Sequence, residues 1–315
     1  MEKLDWLSDN SRYTKQFANY VGKLCHSMTN KAVADLLHLT EHTVKDLDIL
    51  YMQQLLAKTP LCAPRVIGID EVSIRKGHNY RIIVSDIERG RPIWVGGAGR
   101  EEKDMDTFFV FLGTKKTKKI QLAVMDMWRA FLNSTNKNAP QAAILFDKFH
   151  IMRHLSKAMD QVRISEYKRV SGKESKFIKG QRYTLLSHRE NLSLEGRQAL
   201  KQLLSVNKRI ETAYLLKESF GQLWDYNYEG WARRFFNNWK EQLKWQRLKP
   251  FEKFASMIES HWDGIISHCN PKNKVKLGFV EGLNTKVRVI QRSAYGYRDE
   301  EYFKLKILTA FLQKT

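Results

Sequence analysis

Long apolar runs are missing from this chain. No stretch approaches the roughly 18 residues of a membrane-spanning helix, and the start, Met1-Glu2-Lys3-Leu4-Asp5-Trp6, has no apolar signal core. A membrane partner is therefore not expected. Cysteine is scarce: Cys25, Cys62 and Cys269 lie far apart with no Cys-x-x-Cys pair, which excludes a zinc ribbon and a disulfide framework and leaves three buried or idle thiols in a reducing cytosol. Proline (6) and glycine (17) are too few in 315 residues for a disordered or low-complexity chain. Acidic residues are outnumbered, 34 against 54 Lys and Arg, for a formal net charge of +20. That excess calls for a polyanionic partner, nucleic acid before lipid. Hydrophobic residues make up 43% of the sequence, enough to build a core in each of two or three domains.

Residues 11–58 read as helical. Within them Lys31 to Leu37 is a short amphipathic segment, His38-Leu39 a turn, and Thr40 the N-cap of a helix that begins at Glu41. This order resembles a helix-turn-helix. Ala34 is small enough for two helices to cross closely, and Leu39, Val44 and Leu47 close a small core. His42, Thr43 and Lys45 then face a DNA groove, whereas the alternative is an ordinary packing hairpin. On this reading residues 1–60 form a separable module, dispensable for nicking.

Pro60 to Pro64 marks a linker, after which the pattern changes to short strands at Val66–Ile74, Tyr80–Ile87 and Pro92–Gly96. A helix at Lys103–Leu112, a strand at Ile120–Met125, a helix from Trp128 and a strand at Ala142–Phe146 follow. From about His150 to Ser267 the chain is helical, basic and rich in Trp. Periodicity alone gives an α/β domain; the order of elements, taken with the acids below, is that of an RNase H-like fold, whose first and fourth strands are parallel neighbours about 4.8 Å apart.

Asp70 ends the apolar run Val66 to Ile69, and Asp126 ends Ile120 to Met125. A carboxylate at the end of a buried strand persists only with a hydrogen-bond partner, a counter-charge or a metal. Two of them on neighbouring strands repel by roughly 4 kcal/mol at about 4 Å, which a bound divalent cation converts to attraction. Position alone does not choose the ligands, because Asp86 and Asp147 also end strands. A helix through Glu281 would carry Glu281, Asn284, Arg288 and Arg292 on one face, a metal ligand followed by cations for phosphates; a solvated basic helix has the same spacing. His150, just past Asp147, either orients a phosphate or water or satisfies Asp147 structurally. Trp224, Trp231, Trp239, Trp245 and Trp262 lie among Arg233, Arg234, Lys240, Lys244 and Arg247, where exposed rings can stack on unpaired bases, although Phe235, Phe236 and Trp239 look like one packed face.

Together, Gly68 to Gly77, Asp126-Met127-Trp128, Phe146-Asp147-Lys148-Phe149-His150, Glu281 to Lys286 and Ala294 to Tyr297 resemble the ISL-three family of transposases of bacterial insertion sequences. The resemblance runs from about residue 12 to the C-terminus. It implies an α/β, RNase H-like catalytic domain with a large all-helical insertion, preceded by a helix-turn-helix domain. The expected boundaries are 1–60 for the helix-turn-helix, 65–150 and 268–315 for the catalytic domain, and 151–267 for the insertion. Asp70, Asp126 and Glu281 become the catalytic acids and ligands of two Mg²⁺ ions, with Mn²⁺ as a substitute; Asp147, His150 and Asn284 are auxiliary. Arg75, Lys76, Arg233, Arg234, Lys286, Arg288 and Arg292 join the groove-facing residues as DNA contacts. The implied reaction is hydrolysis at the element end followed by attack of the freed 3′-hydroxyl on target DNA. The implied partners are double-stranded DNA, both element ends and target, and further copies of the chain in a homodimer or higher oligomer, in the bacterial cytoplasm at the nucleoid. The family usually carries a cysteine-rich zinc-binding segment ahead of the helix-turn-helix, and it is missing here. A simple metal-dependent nuclease and a non-catalytic DNA-binding regulator derived from such an enzyme are the alternatives.

Overall fold

The computed structural model describes residues 12–75, 79–275, 278–294 and 297–312, without the side chains of 74, 75, 79, 280 and 281. The chain divides into two compact units, one built from residues 1–142 and 275–315 and the other from residues 143–274.

The first unit opens with α1 (Lys15–Leu24), α2 (Asn30–Leu37) and α3 (Glu41–Ala57). Each starts on a threonine whose side chain accepts a backbone N–H three residues on: Thr14 from Phe17, Thr29 from Ala32 and Thr40 from Thr43. His38 ends α2 in the left-handed region (φ 53°), turning the chain into α3 within three residues. Ala18, Val21, Val33, Ala34, Val44 and Leu47 are buried together, with Leu39 packed against them, so the small core expected between the helices is present. A Cβ on Gly22 would fall 2.2 Å from the Tyr51 ring, which is why α1 and α3 can approach only through glycine here.

Strands β1 (Val66–Arg75), β2 (Asn79–Asp86) and β3 (Arg91–Gly96) follow, then α4 (Glu102–Leu112), the short α5 (Thr114–Thr117), β4 (Leu122–Met125) and α6 (Arg129–Asn138). In this unit the strand order is β3-β2-β1-β4. β1 pairs antiparallel with β2, and parallel with β4 through Val66 to Leu122, Ile67 to Ala123 and Gly68 to Val124. One face of the sheet is covered by α15 (Gly278–Ser293) and α16 (Glu300–Thr309), where Val72, Ile83 and Val95 meet Leu283, Val287, Phe303 and Ile307. The other carries α4, with Trp94 of β3 against Phe108. The Arg81 guanidinium of β2 grips both carboxylate oxygens of Glu300 at the head of α16, a bidentate fork.

The N-terminal helices also pack on α16. Tyr51, Met52 and Tyr302 are buried together. Beneath them Asp48, 1% exposed, accepts the Tyr302 hydroxyl at 2.6 Å and lies 2.5 Å from Lys306 Nζ. Lys306 also donates to the Cys25 carbonyl at 2.9 Å.

The second unit opens with β5 (Ala143–Phe146) and continues as helices α7 (Lys148–Tyr167), α8 (Gly172–Gly180), α9 (Arg182–Leu186), α10 (Leu194–Val206), α11 (Lys208–Phe220), α12 (Glu229–Glu241), α13 (Lys249–Ser260) and α14 (Trp262–Ile266). Its core is aromatic: Phe220 stacks edge-on against Trp239 and Phe254, and Phe236 lies 5.1 Å from Trp262. The Trp239 indole N–H donates to the Leu216 carbonyl, satisfying the one polar atom that ring buries. Phe235 departs from the packed face read in the sequence; it is half-buried, against Tyr226.

Candidate active site

Strand register relates Asp70 to Asp126. The parallel pairing of β1 with β4 ends at Gly68 and Val124; Asp70 stands two residues beyond Gly68 on β1, and Asp126 two residues beyond Val124, just past the end of β4. Parallel strands carried on at that offset would set the two acids side by side on one face of the sheet. Asp70 is 9% exposed; its Oδ1 accepts the Glu71 N–H at 2.7 Å and its Oδ2 accepts the Asn284 amide at 2.5 Å. Asp126 is half-buried, and its Oδ1 accepts the Trp128 N–H at 3.1 Å. Each carboxylate oxygen keeps a lone pair after one such bond, so these contacts aim the carboxylates without using them up.

Asp70 lies within β1, whereas the acids at the ends of β2 and β5 are engaged as caps. Asp86 closes the turn after β2, accepting the Arg89 N–H and pairing with its guanidinium at 2.6 Å. Asp147, in the second unit, is the N-cap of α7 and accepts the Phe149 N–H at 2.9 Å. His150 is half-buried on the first turn of that helix, its ring edge-on to Phe149.

Helix α15 lies along β1. Leu283 and Val287 face the sheet, Asn284 reaches Asp70, and Gln291 donates to the Ser73 carbonyl at 2.6 Å. Glu281 stands on α15 one turn before Asn284, and its side chain lies outside the described residues. Among the described residues no three His, Cys, Asp or Glu side chains gather as a metal site. Arg288 and Arg292 are exposed and Lys286 is half-buried. Lys76 and the Arg75 side chain lie outside the described residues.

In the helix-turn-helix, His42 is exposed and paired with Asp46 one turn on at 3.0 Å, and Thr43 is half-buried beside Thr40. Val44 and Leu47 point into the core as expected. Lys45 does not face a groove. It turns toward α16, 2.7 Å from Asp299 and over the Tyr302 ring, because the packing of α3 on α16 brings an acid within its reach. In the second unit Arg233 and Arg234 are exposed on α12, Arg233 over the Trp262 ring and Arg234 near that of Trp231. Trp224, Trp239 and Trp262 are core; Trp231 and Trp245 are exposed, Trp245 at 94% on a loop where it holds a positive φ of 70°.

Sequence reasoning passed over a brace between the two acids. Glu71, next to Asp70, pairs with Arg100 at 3.1 Å, and the Arg100 guanidinium lies 4.4 Å from the centre of the Trp128 ring and 4.9 Å from that of Tyr80. Trp128 in turn donates its indole N–H to the Arg100 carbonyl at 2.8 Å. The available signal was the short step from Asp126 to Trp128; nothing in the loop Gly97-Ala98-Gly99-Arg100 announced its partner.

A family model described as "Transposase" matches residues 67–307, and another, "Helix-turn-helix domain of transposase family ISL3", matches residues 2–49. The chain is 32% identical, over 99% of its length and 77% of the relative's, to the transposase for insertion sequence element IS1001 of Bordetella parapertussis. It is 24% identical, over 94% of its length and 71% of the relative's, to the transposase for element IS1557 of Mycobacterium tuberculosis. The matched stretches take in Asp70 and Asp126, the helix that bears Asn284, and α2 and the start of α3. The chain belongs to the ISL3 family of insertion-sequence transposases.

Proposed function

We propose that this protein cuts and joins the ends of an insertion sequence at a single acidic site, on an RNase H-like catalytic domain (residues 65–150 and 268–315) interrupted by a helical insertion (151–267) and preceded by a reading domain (1–60). The observation that carries this reading is the parallel register of β1 and β4, which leaves Asp70 and Asp126 at the same two-residue offset beyond its last pair, with Asn284 of α15 bonded to Asp70. The donor set, two carboxylates half-buried or deeper and held by N–H groups, consists of hard oxygens and suits Mg²⁺ or Mn²⁺ better than softer metals. Asp70, Asp126 and Glu281 would hold two such ions. Bound there, they supply the Lewis acidity that activates a water or a 3′-hydroxyl and stabilises the leaving oxygen.

The chain's own groups do the rest. Asn284 holds the Asp70 carboxylate in one orientation. Lys286, Arg288 and Arg292 on α15, with Arg75 at the end of β1 and Lys76 next in sequence, bind phosphates of the DNA approaching the acids. Arg233 and Arg234 contribute sequence-independent contacts from the second unit; Asp147 and His150 are auxiliary. His42 and Thr43 read bases in the major groove, and Lys45 is withdrawn from that role by Asp299. Double-stranded DNA is the substrate, as element end and as target, with further copies of the chain assembled on it, in the cytoplasm at the nucleoid. Among the described residues no helix is long and apolar enough to cross a membrane.

The test is a comparison of Asp70→Asn, Asp126→Asn and Glu281→Gln, which keep side-chain shape and remove the charge a cation needs. Each should abolish Mg²⁺-dependent cleavage of end DNA while leaving DNA binding intact. Near wild-type cleavage by any one removes that residue from the set, and cleavage by none of the proteins, wild type included, favours a DNA-binding regulator.

A further inference from the structure

We propose that the cavity beside Asp126 takes an unpaired nucleobase of the bound DNA, stacked on Trp128. The cavity, about 640 Å³, is lined by Tyr80, the Gly99-Arg100 loop, the start of α4 and Trp128. Its volume lies in the range of sites that hold small planar ligands. Trp128 leaves 39% of its surface exposed there, whereas Trp224, Trp239 and Trp262 are buried in the core; Trp231 and Trp245 are also exposed.

The cavity carries both a ring surface and charge: Glu101, Glu102 and Asp104 line it beside Lys103 and Arg100, so its acids disfavour a phosphate while the ring can take a base. The Trp128 indole N–H is already spent on the Arg100 carbonyl, so the ring presents its face and not a donor. The Arg100 guanidinium backs that ring at 4.4 Å, and its charge is met by Glu71 through contacts of 3.1 and 3.2 Å to the two carboxylate oxygens. A phosphate would have to compete with Glu71 for Arg100. A base needs only the aromatic face, and base–aromatic stacking tolerates any sequence.

The platform is also fixed relative to the acids. The Trp128 backbone N–H donates to Asp126, and Glu71 directly follows Asp70. A base held on Trp128 would thus be a near neighbour of the phosphate positioned at those carboxylates. Bases inside a duplex are stacked on both sides, so only one released from its pair can enter. The location rests on reading Asp70 and Asp126 as the catalytic acids; the stacking itself does not require that they cleave.

The experiment is therefore a binding measurement, made without divalent metal on the full chain. Two fluorescent probes are compared: a blunt duplex, and the same duplex with a short single-stranded tail containing 2-aminopurine. The tail should raise wild-type affinity about tenfold, the scale of one base–aromatic stack, and its 2-aminopurine emission should be quenched on binding. Trp128→Ala should lose both effects while binding the blunt duplex as wild type does, which also reports that it folds. Trp128→Phe, which keeps a ring and lacks the N–H, should retain quenching. The proposal is overturned if the wild type shows no preference for the tail or if Trp128→Ala keeps it. It is equally overturned if Trp128→Phe behaves as Trp128→Ala does, since the residue would then serve the loop rather than the base. Loss of cleavage in the acid variants with tail binding intact would leave this inference standing, so the two readings fail separately.

Discussion

At the residue scale, the feature that sets Asp70 apart from the strand-end acids Asp86 and Asp147 is who holds it. Asp86 and Asp147 cap local turns, whereas Asp70 is gripped by an amide from a helix more than two hundred positions away. If Asn284 orients a metal ligand, Asn284→Ala should raise the Mg²⁺ concentration for half-maximal cleavage by about 10–100-fold, the usual cost of losing such a partner. Metal-free DNA binding should not change, and a titration of cleavage against Mg²⁺ beside a binding isotherm checks both. Elsewhere, the Arg81 fork holds the Glu300 carboxyl below the usual carboxylate range, outweighing the opposing effect of burial. A carboxylate with a depressed folded pKa stabilises above its unfolded value, about 4.3, and loses that contribution as pH falls through the folded value. The difference in urea midpoint between wild type and Glu300→Gln should accordingly be present at neutral pH and disappear on acidification through that window.

At the scale of elements, much of the order was readable in advance. Strand β4 ends just before Asp126, Thr40 caps α3, and His38 turns the chain, because each of these is decided by neighbours in sequence; β1 by contrast runs on five residues past Asp70, where its apolar run stops. What could not be read was long-range pairing. The helices around residues 12–57 looked self-sufficient, yet α3 shares a buried ion pair, Asp48 with Lys306, with a helix at the far end of the chain. Asp48 shares the buried face of α3 with Val44, Leu47, Tyr51 and Met52, a place that calls for a partner, but nothing local says that a lysine two hundred and more positions on will be it. The same blindness hid the Lys45–Asp299 contact and the Arg100 brace. Lys306→Met should strand the Asp48 charge in the interior and cost about 3–5 kcal/mol, read as a fall in unfolding free energy in urea. Asp48→Leu combined with Lys306→Met should recover most of that loss. Removal of residues 1–60 is then not a clean excision, because it uncovers Tyr302 and leaves Lys306 without its acid.

At the scale of the whole molecule, charge is the dominant property. With a formal +20, DNA affinity should come largely from released counterions. A contact set of six to ten phosphates predicts a loss of about 10³–10⁵ in affinity between 50 and 200 mM salt. Anisotropy titrations across that range test it; a flat response would argue against an extended basic path. The division of the chain carries a different consequence. The unit that holds Asp70 and Asp126 takes its last two helices from residues 275–315, after the whole of 143–274 has intervened. On a ribosome the N-terminal part emerges first and, at about 5–20 residues per second, waits several seconds or more for α15 and α16. Until then Asp70 lacks Asn284, the sheet has one bare face, and α3 has no seat for Asp48. A message broken anywhere before codon 275 would yield a product without the helix that carries Glu281 and Asn284. If Glu281 and Asn284 serve cleavage as proposed, such fragments of the gene product would be unable to cut DNA, and completion of translation would act as a safeguard.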